Sequence, residues 1–480
     1  MSEAENRLAL PLPFELISLI FIFCLPLRRR VYPHPHKAPL NLASVCTQWR
    51  EAALGIPELW TSMFLQVDEP DAFDGVANLF NSEFDKQDPF VPLMNLWFAR
   101  TSGRPLSISL SCAKGGCLPN GLLDVMAVYR DQWGRIELAV PEVDFLAFIN
   151  ITGPWPCLSA LTVEITDQRR SFPDHFMDSV RNSPQLRSLQ LPQHNYEPHA
   201  PENLAILPRG LTAARLFCVA RPFNIPHSPG VMPPAIVTSP FRPLFRHLPH
   251  LLHLDLYVCH LPGIPSDTRF KTSLLTLQLN LDHALDFLDV PTLQFLHTTL
   301  TWSNTLTNFI AHSQCRLTAL SVEIADRLNP EMLASVFGAV PELRTLVVAV
   351  VSPVRWGAIP RCEALFDIRL VPQLRNLIIE ERATFPAYDR WSDLLELRTG
   401  IEYAQLYIHT APTEMKNPFV LPWREIEARW AVLAAGGMKP RVIKGDYTWP
   451  SNAKDEDPVG DLDFGFTIPR EIRPYHFSPF

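Results

Sequence analysis

The sequence predicts a mixed α/β chain, a small N-terminal helical module followed by an irregular solenoid of strand-and-helix units. Two short apolar segments with helical spacing lie within the first 60 residues. A Pro-x-Leu-x-x-Leu-x-apolar pattern then returns along the chain, and where copies are consecutive they fall about 20 to 30 residues apart, the spacing of stacked repeats. Prolines number 47 in 480 residues and are scattered, which excludes long helices.

In the first apolar segment Pro13 suits the first helical position and Glu15 the first turn, while Leu16, Leu19, Ile20 and Phe23 share one face. In the second, Leu42, Val45, Cys46, Trp49 and Ala53 repeat the spacing before Gly55 and Pro57 stop it. Two such helices bury too little surface to stand alone and need a partner. Thr61–Val67 reads as a strand and 68–89 as an acidic linker. Beyond it, helices at 92–101, 122–133 and 145–149 alternate with strands at 106–111 and 136–140.

The repeat is clearest at Pro156-x-Leu158-x-x-Leu161, Pro184-x-Leu186-x-x-Leu189, Pro249-x-Leu251-x-x-Leu254, Pro341-x-Leu343-x-x-Leu346 and Pro372-x-Leu374-x-x-Leu377. Pro291-x-Leu293 is a weaker copy, the runs at Leu274 and Leu317 lack the proline, and Leu211–Val219 is a hidden unit. Helices at 172–181 and 330–340 fit between copies. Each unit cannot bury its own leucine face, so neighbours stack on a shared core. The segment 221–243 is a Pro-rich interruption, read as a surface loop or a binding loop. Helix 391–398, a last strand 403–408 and a closing helix 423–435 complete the array, and the composition from Lys439 reads as an extended or disordered tail.

Two resemblances follow. The order Leu12-Pro13-x-Glu15-Leu16, Ile20-Phe21, Val45-Cys46-x-x-Trp49-Arg50 resembles the F-box, the module that docks on the Skp adaptor of cullin-RING ubiquitin ligases. Pro57-Glu58-Leu59-Trp60 is similar to the ending found in the large F-box families of mushroom-forming fungi. The inter-helix insert Arg28–Lys37 is longer and more basic than usual. The later units resemble degenerate leucine-rich repeats, without the Asn or Cys expected after the strand in most copies, so the turns must be held by other means. The expected fold is therefore a small F-box followed by an irregular leucine-rich-repeat-like solenoid: 11–60 F-box, 61–91 strand and linker, 92–436 recognition domain, 437–480 tail.

The resemblance implies adaptor contacts from Leu12, Pro13, Leu16, Ile20, Phe21, Val45, Cys46 and Trp49. It also implies a protein substrate on the repeats, a cullin reached through the adaptor, and a cytoplasmic or nuclear location. Strand alternation puts the residues beside each middle leucine on the concave side. From these Ser188, Gln190, His253, Asp255, Thr276, Gln278, Phe295, His297, Thr345 and Asn376 are candidate substrate contacts. That side is read either as a recognition surface or as merely solvated. The competing reading of the N-terminal helices is a cap on a non-ligase scaffold, in which Leu16, Ile20 and Trp49 pack inward.

Other chemistry has little support in the sequence. No phosphate loop, nucleophile elbow or zinc-protease motif is present, so no catalytic residue, cofactor or metal is expected, and the chain is read as an adaptor rather than an enzyme. A net charge of −8 gives no general attraction to nucleic acid. Nine cysteines without a CxxC pair read as reduced thiols of an intracellular protein. The apolar stretch 16–27 is too short to span a bilayer, and Glu3 and Glu5 stand where a secretory signal carries positive charge.

Overall fold

The computed structural model describes residues 12–26, 31–67, 90–112, 117–165, 174–191, 207–218, 241–258, 269–280, 282–300, 304–324, 330–350, 364–381, 388–408, 423–444 and 447–449. The linker 68–89, the interruption over 219–240 and the tail from 450 lie outside them. The chain divides into two compact units, residues 1–197 with 202–211 and residues 198–201 with 212–480. Both are mixed α/β and built on parallel strands.

The first unit opens with α1 (Phe14–Phe23), α2 (Leu40–Val45) and α3 (Thr47–Gly55), then a 3-10 turn, Pro57–Trp60. The second apolar segment, expected as one helix, breaks at Cys46, whose backbone is extended (φ −157°, ψ 172°). The Cys46 Sγ accepts the Trp49 N–H at 3.5 Å, so the residue that ends α2 caps α3. Next come β1 (Ser62–Val67), α4 (Phe90–Ala99), β2 (Leu106–Cys112), α5 (Leu122–Val128), β3 (Trp133–Val140), α6 (Glu142–Ile149), β4 (Ala160–Ile165), α7 (Asp174–Arg181) and β5 (Ser188–Gln190). The strands lie side by side in sequence order, all parallel, as strand–helix–strand crossovers require.

The second unit holds β6 (Ala213–Cys218), α8 (Phe241–His247), β7 (His253–Val258), β8 (Phe270–Lys271), β9 (Thr276–Leu279), β10 (Leu288–Asp289), β11 (Phe295–Leu300), α9 (Thr305–Ser313), β12 (Ala319–Ile324), α10 (Pro330–Ala339), β13 (Thr345–Val350), β14 (Asn376–Glu381), α11 (Tyr388–Leu397), β15 (Tyr403–Ile408), α12 (Trp423–Ala435), β16 (Lys439–Lys444) and β17 (Tyr447–Trp449). Apart from the separate β8–β10 pair, these strands are also parallel and sequential, and only β17 turns back antiparallel. β6 is the unit expected at Leu211–Val219. Tyr403–Ile408 is not the last strand: part of the stretch expected as tail forms β16 and β17, where alternating apolar residues join the sheet.

The motif has a local cause. In each copy the residue before the proline accepts a hydrogen bond from the first leucine three positions on, as in Ser183 to Leu186 (3.3 Å), Leu248 to Leu251 (3.3 Å), Val340 to Leu343 (3.1 Å) and Val371 to Leu374 (3.2 Å). Proline thus occupies the second position of a β-turn, where its fixed φ is pre-set. The turn swings the chain into the strand, and both leucines enter the core; Leu186, Leu189, Leu251, Leu254, Leu343, Leu346, Leu374 and Leu377 are all buried.

Successive turns are tied by the main chain rather than by an asparagine ladder. The Thr212 carbonyl accepts from both Leu252 and His253, and the same double acceptance recurs at Leu252, Leu275, Gln294, Thr318, Arg344 and Arg375. Hydroxyls add to it: Thr292 donates to the Leu274 carbonyl at 2.9 Å and Ser159 to the Gly134 carbonyl at 2.7 Å.

Candidate functional site

The N-terminal helices are anchored on one side and bare on the other. Phe21 meets Trp49 edge to face with centroids 5.0 Å apart, and Ile17 is buried with it. Trp60 donates its indole N–H to the Ala53 carbonyl at 2.9 Å and packs edge to face on Trp97 of α4, with the Arg100 guanidinium 4.4 Å over its ring. Part of the inter-helix insert is tied to the sheet, since the Val31 carbonyl accepts the Phe64 N–H of β1 at 2.9 Å. Arg50 reaches from α3 to the Ala43 carbonyl of α2 at 3.0 Å.

Among the described residues, the opposite face of α1 carries no such cover. Leu16 is 46% exposed, Ile20 43% and Phe23 83%, and Leu12, Phe14, Leu19 and Ile22 are exposed beside them. Val45 is 61% exposed, Pro13 and Cys46 are exposed, and Trp49 is half-buried. Of the eight residues expected to meet an adaptor, six are exposed, Trp49 is half-buried and Phe21 is buried. Its ring is enclosed against Trp49 and holds the module together. Contiguous exposed apolar side chains of this kind are characteristic of interaction surfaces in general.

The second candidate surface is the strand face opposite the leucine core. In the first unit it is partly open: Ser107, Ser109 and Ser111 of β2 are half-buried, as are Arg135 and Glu137 of β3, and Glu164 of β4 is exposed. Ser109 donates to Glu137 at 3.1 Å, and Arg135 pairs with the same carboxylate at 3.1 Å. In the second unit the corresponding side chains are closed in. There the expected contacts His253, Asp255, Thr276, Gln278, Phe295 and Thr345 are buried and His297 and Asn376 half-buried, while Ser188 and Gln190, on β5 of the first unit, are buried as well. Alternation put these side chains on one face, read as a recognition surface or as merely solvated, and there they are largely enclosed.

In-register pairing accounts for part of this closure. Parallel strands about 4.8 Å apart let polar side chains bond sideways. His253 Nδ1 lies 3.0 Å from the Thr276 hydroxyl, His297 Nδ1 lies 2.8 Å from that of Ser321, and Asn376 donates to Thr345 at 3.0 Å. Thr299 donates to Glu323 at 3.0 Å. Arg215 of β6 forms a buried ion pair with Asp255 of β7. Burial pushes the Asp255 carboxyl up while Arg215 opposes it, and burial pushes the His253 imidazole down to about 4. Sequence reading missed Arg215, because its unit lacks the motif, and missed Glu323, because it lies beyond the two positions taken from each strand.

No group of three His, Cys, Asp or Glu side chains suited to a metal ion occurs among the described residues. At His34-Pro35-His36 the His34 Nδ1 already accepts the His36 N–H at 3.2 Å. The Cys112 thiol is pushed up to about 12 by burial and by neighbouring Asp144 and Cys117, so it holds its proton at neutral pH. Among the described residues no helix is long and apolar enough to cross a membrane.

No family model and no curated protein matches the chain. A match to a solved structure is the crystal structure of a TLR13–ssRNA13 complex, at 12% identity and a TM-score of 0.28. It covers 65% of this chain. The chain spans 41% of that structure's length.

Proposed function

We propose that this chain is a substrate-recognition adaptor of a cullin-RING ubiquitin ligase, with α1 to α3 as an F-box that docks on a Skp-type adaptor and a leucine-rich-repeat-like solenoid that holds a protein substrate. The exposed face of α1 carries the reading. A helix that only capped the repeats would turn Leu16 and Ile20 inward, whereas Ile17 and Phe21 do the anchoring and the other face is free. Such a protein acts by positioning, bringing the substrate close to a ubiquitin donor without performing chemistry. It works in the cytoplasm or nucleus, where those ligases assemble.

A scaffold whose N-terminal helices serve only as a cap is the second reading. The burial of Phe21, Leu59 and Trp60 against the rest of the first unit favours it. Co-purification with a Skp-type adaptor separates the two. The wild-type chain binds, and Leu16→Asp and Ile20→Asp stay folded and lose the adaptor, because a charge forced into an apolar contact is costly. Failure of the wild-type chain to bind supports the scaffold instead.

A further inference from the structure

The open strand face of the first unit is shaped by where its small residues fall. β2 alternates buried Leu106, Ile108 and Leu110 with half-buried Ser107, Ser109 and Ser111, so three hydroxyls stand in a column along one strand, about 6.6 Å apart. Longer side chains border the column in register. Phe64 of β1 and Glu137 of β3 flank Ser109, Arg135 of β3 flanks Ser107, and Gln66 of β1 flanks Ser111. The serines are therefore the floor of a groove whose walls stand two strand spacings apart, about 10 Å, room for one extended chain.

The two walls differ in chemistry. On the β1 side the Phe64 ring meets Tyr32 of the inter-helix insert at 6.4 Å, and Lys37 Nζ lies 5.7 Å from the centre of the tyrosine ring. On the β3 side Glu137 accepts from Ser109 and pairs with Arg135, at 3.1 Å each. Ala139 follows on β3 beside Ser111, and the exposed Glu164 of β4 is in register with it. Only a methyl group thus stands between Ser111 and the row of Glu164. With Arg135 set against Glu137 and Glu164, the outward side chains of β1 to β4 carry one negative charge in excess.

We propose that this groove binds an extended protein segment in which apolar and basic residues alternate, with its main chain over the serine hydroxyls. Successive side chains of an extended chain point to opposite sides. The apolar ones lie against Phe64, and the basic ones reach Glu137 and Glu164, where charge complementarity fixes which side faces which wall. Ser109 gives its proton to Glu137 and keeps an oxygen to accept a main-chain N–H. Calling that segment the substrate rests on the adaptor reading above; the chemistry that the groove selects does not.

The test is fluorescence anisotropy of the full chain with two blocked, dye-labelled peptides, one alternating Val and Lys and the other alternating Val and Glu. The Val-Lys peptide is expected to bind at least about tenfold more tightly. Glu164→Lys reverses an exposed charge, and Ser109→Tyr fills the floor; each is expected to weaken that peptide at least about tenfold. Binding of neither peptide, equal affinity for both, or unchanged binding by Glu164→Lys overturns the proposal. Because Glu164 is exposed, that variant keeps the test decisive where Ser109→Tyr does not fold. Adaptor co-purification of the same variants keeps the two ideas apart, since neither substitution lies in α1 to α3.

Discussion

Arg398, immediately after α11, offers the sharpest test of how the irregular repeats are held. Its guanidinium is buried and donates to the carbonyls of Leu365 (2.5 Å), Asp367 (2.8 Å), Leu370 (2.9 Å) and Val371 (3.3 Å). One side chain thus closes the turn that precedes β14, where Val371 adopts a left-handed φ of 45°. Arg398→Met keeps much of the aliphatic bulk and removes every donor. The bonds to Leu365 and Val371 are buried, while those to Asp367 and Leu370 lie where water can enter. Two orphaned buried carbonyls at about 1–3 kcal/mol each, with partial rescue of the other two by water, give a loss of about 3–5 kcal/mol. Total stabilities of about 5–15 kcal/mol make that a large fraction. Urea denaturation measures it as a lower midpoint at unchanged slope. Arg398→Lys recovers part of the loss, since one ammonium cannot reach all four oxygens. A loss below about 1 kcal/mol for Arg398→Met refutes the view that this side chain holds the turn.

Two further predictions concern the polar strand face. His253 has a folded pKa of about 4 against an ordinary 6.5, so protonation favours the unfolded chain. Its contribution is complete above pH 6.5 and is lost as the pH falls toward 4, by about 3 kcal/mol; denaturation at pH 7 and pH 4 shows a smaller acid loss in His253→Asn, and an equal loss contradicts the assignment. Arg215→Leu leaves Asp255 as an unpaired buried carboxylate and costs about 3–5 kcal/mol, whereas Arg215→Leu with Asp255→Leu recovers most of it. Thermal unfolding of the two variants decides the point, and equal destabilisation by both counts against an ion-pair origin.

Much of the architecture was legible because its signals are local. A proline at the second turn position and a leucine three residues before the next act within one stretch of chain, so every clear copy of the motif enters a strand at the expected place. The helix break at Cys46 was not legible: Val45, Cys46 and Trp49 keep helical spacing across it, and the cap that creates it is one sulfur–amide contact. In α1 almost every side chain is apolar, so spacing could not tell the anchoring face of Ile17 and Phe21 from the bare face of Leu16 and Ile20. That choice is made by Trp49, far along the sequence. Arg398 shows the same limit, with partners 27 to 33 residues away and no local pattern. Strand alternation identified the side on which His253, Asp255 and Thr276 lie, but not the lateral partners that close it.

The bare face of α1 is the centre of the account, and hydrogen–deuterium exchange of the full chain with and without a Skp-type adaptor tests it most directly. Slower exchange confined to α1 and the α2–α3 junction, with the strands of the second unit unchanged, is the predicted result. No change in those helices at saturating adaptor, or protection centred on the second unit, contradicts it.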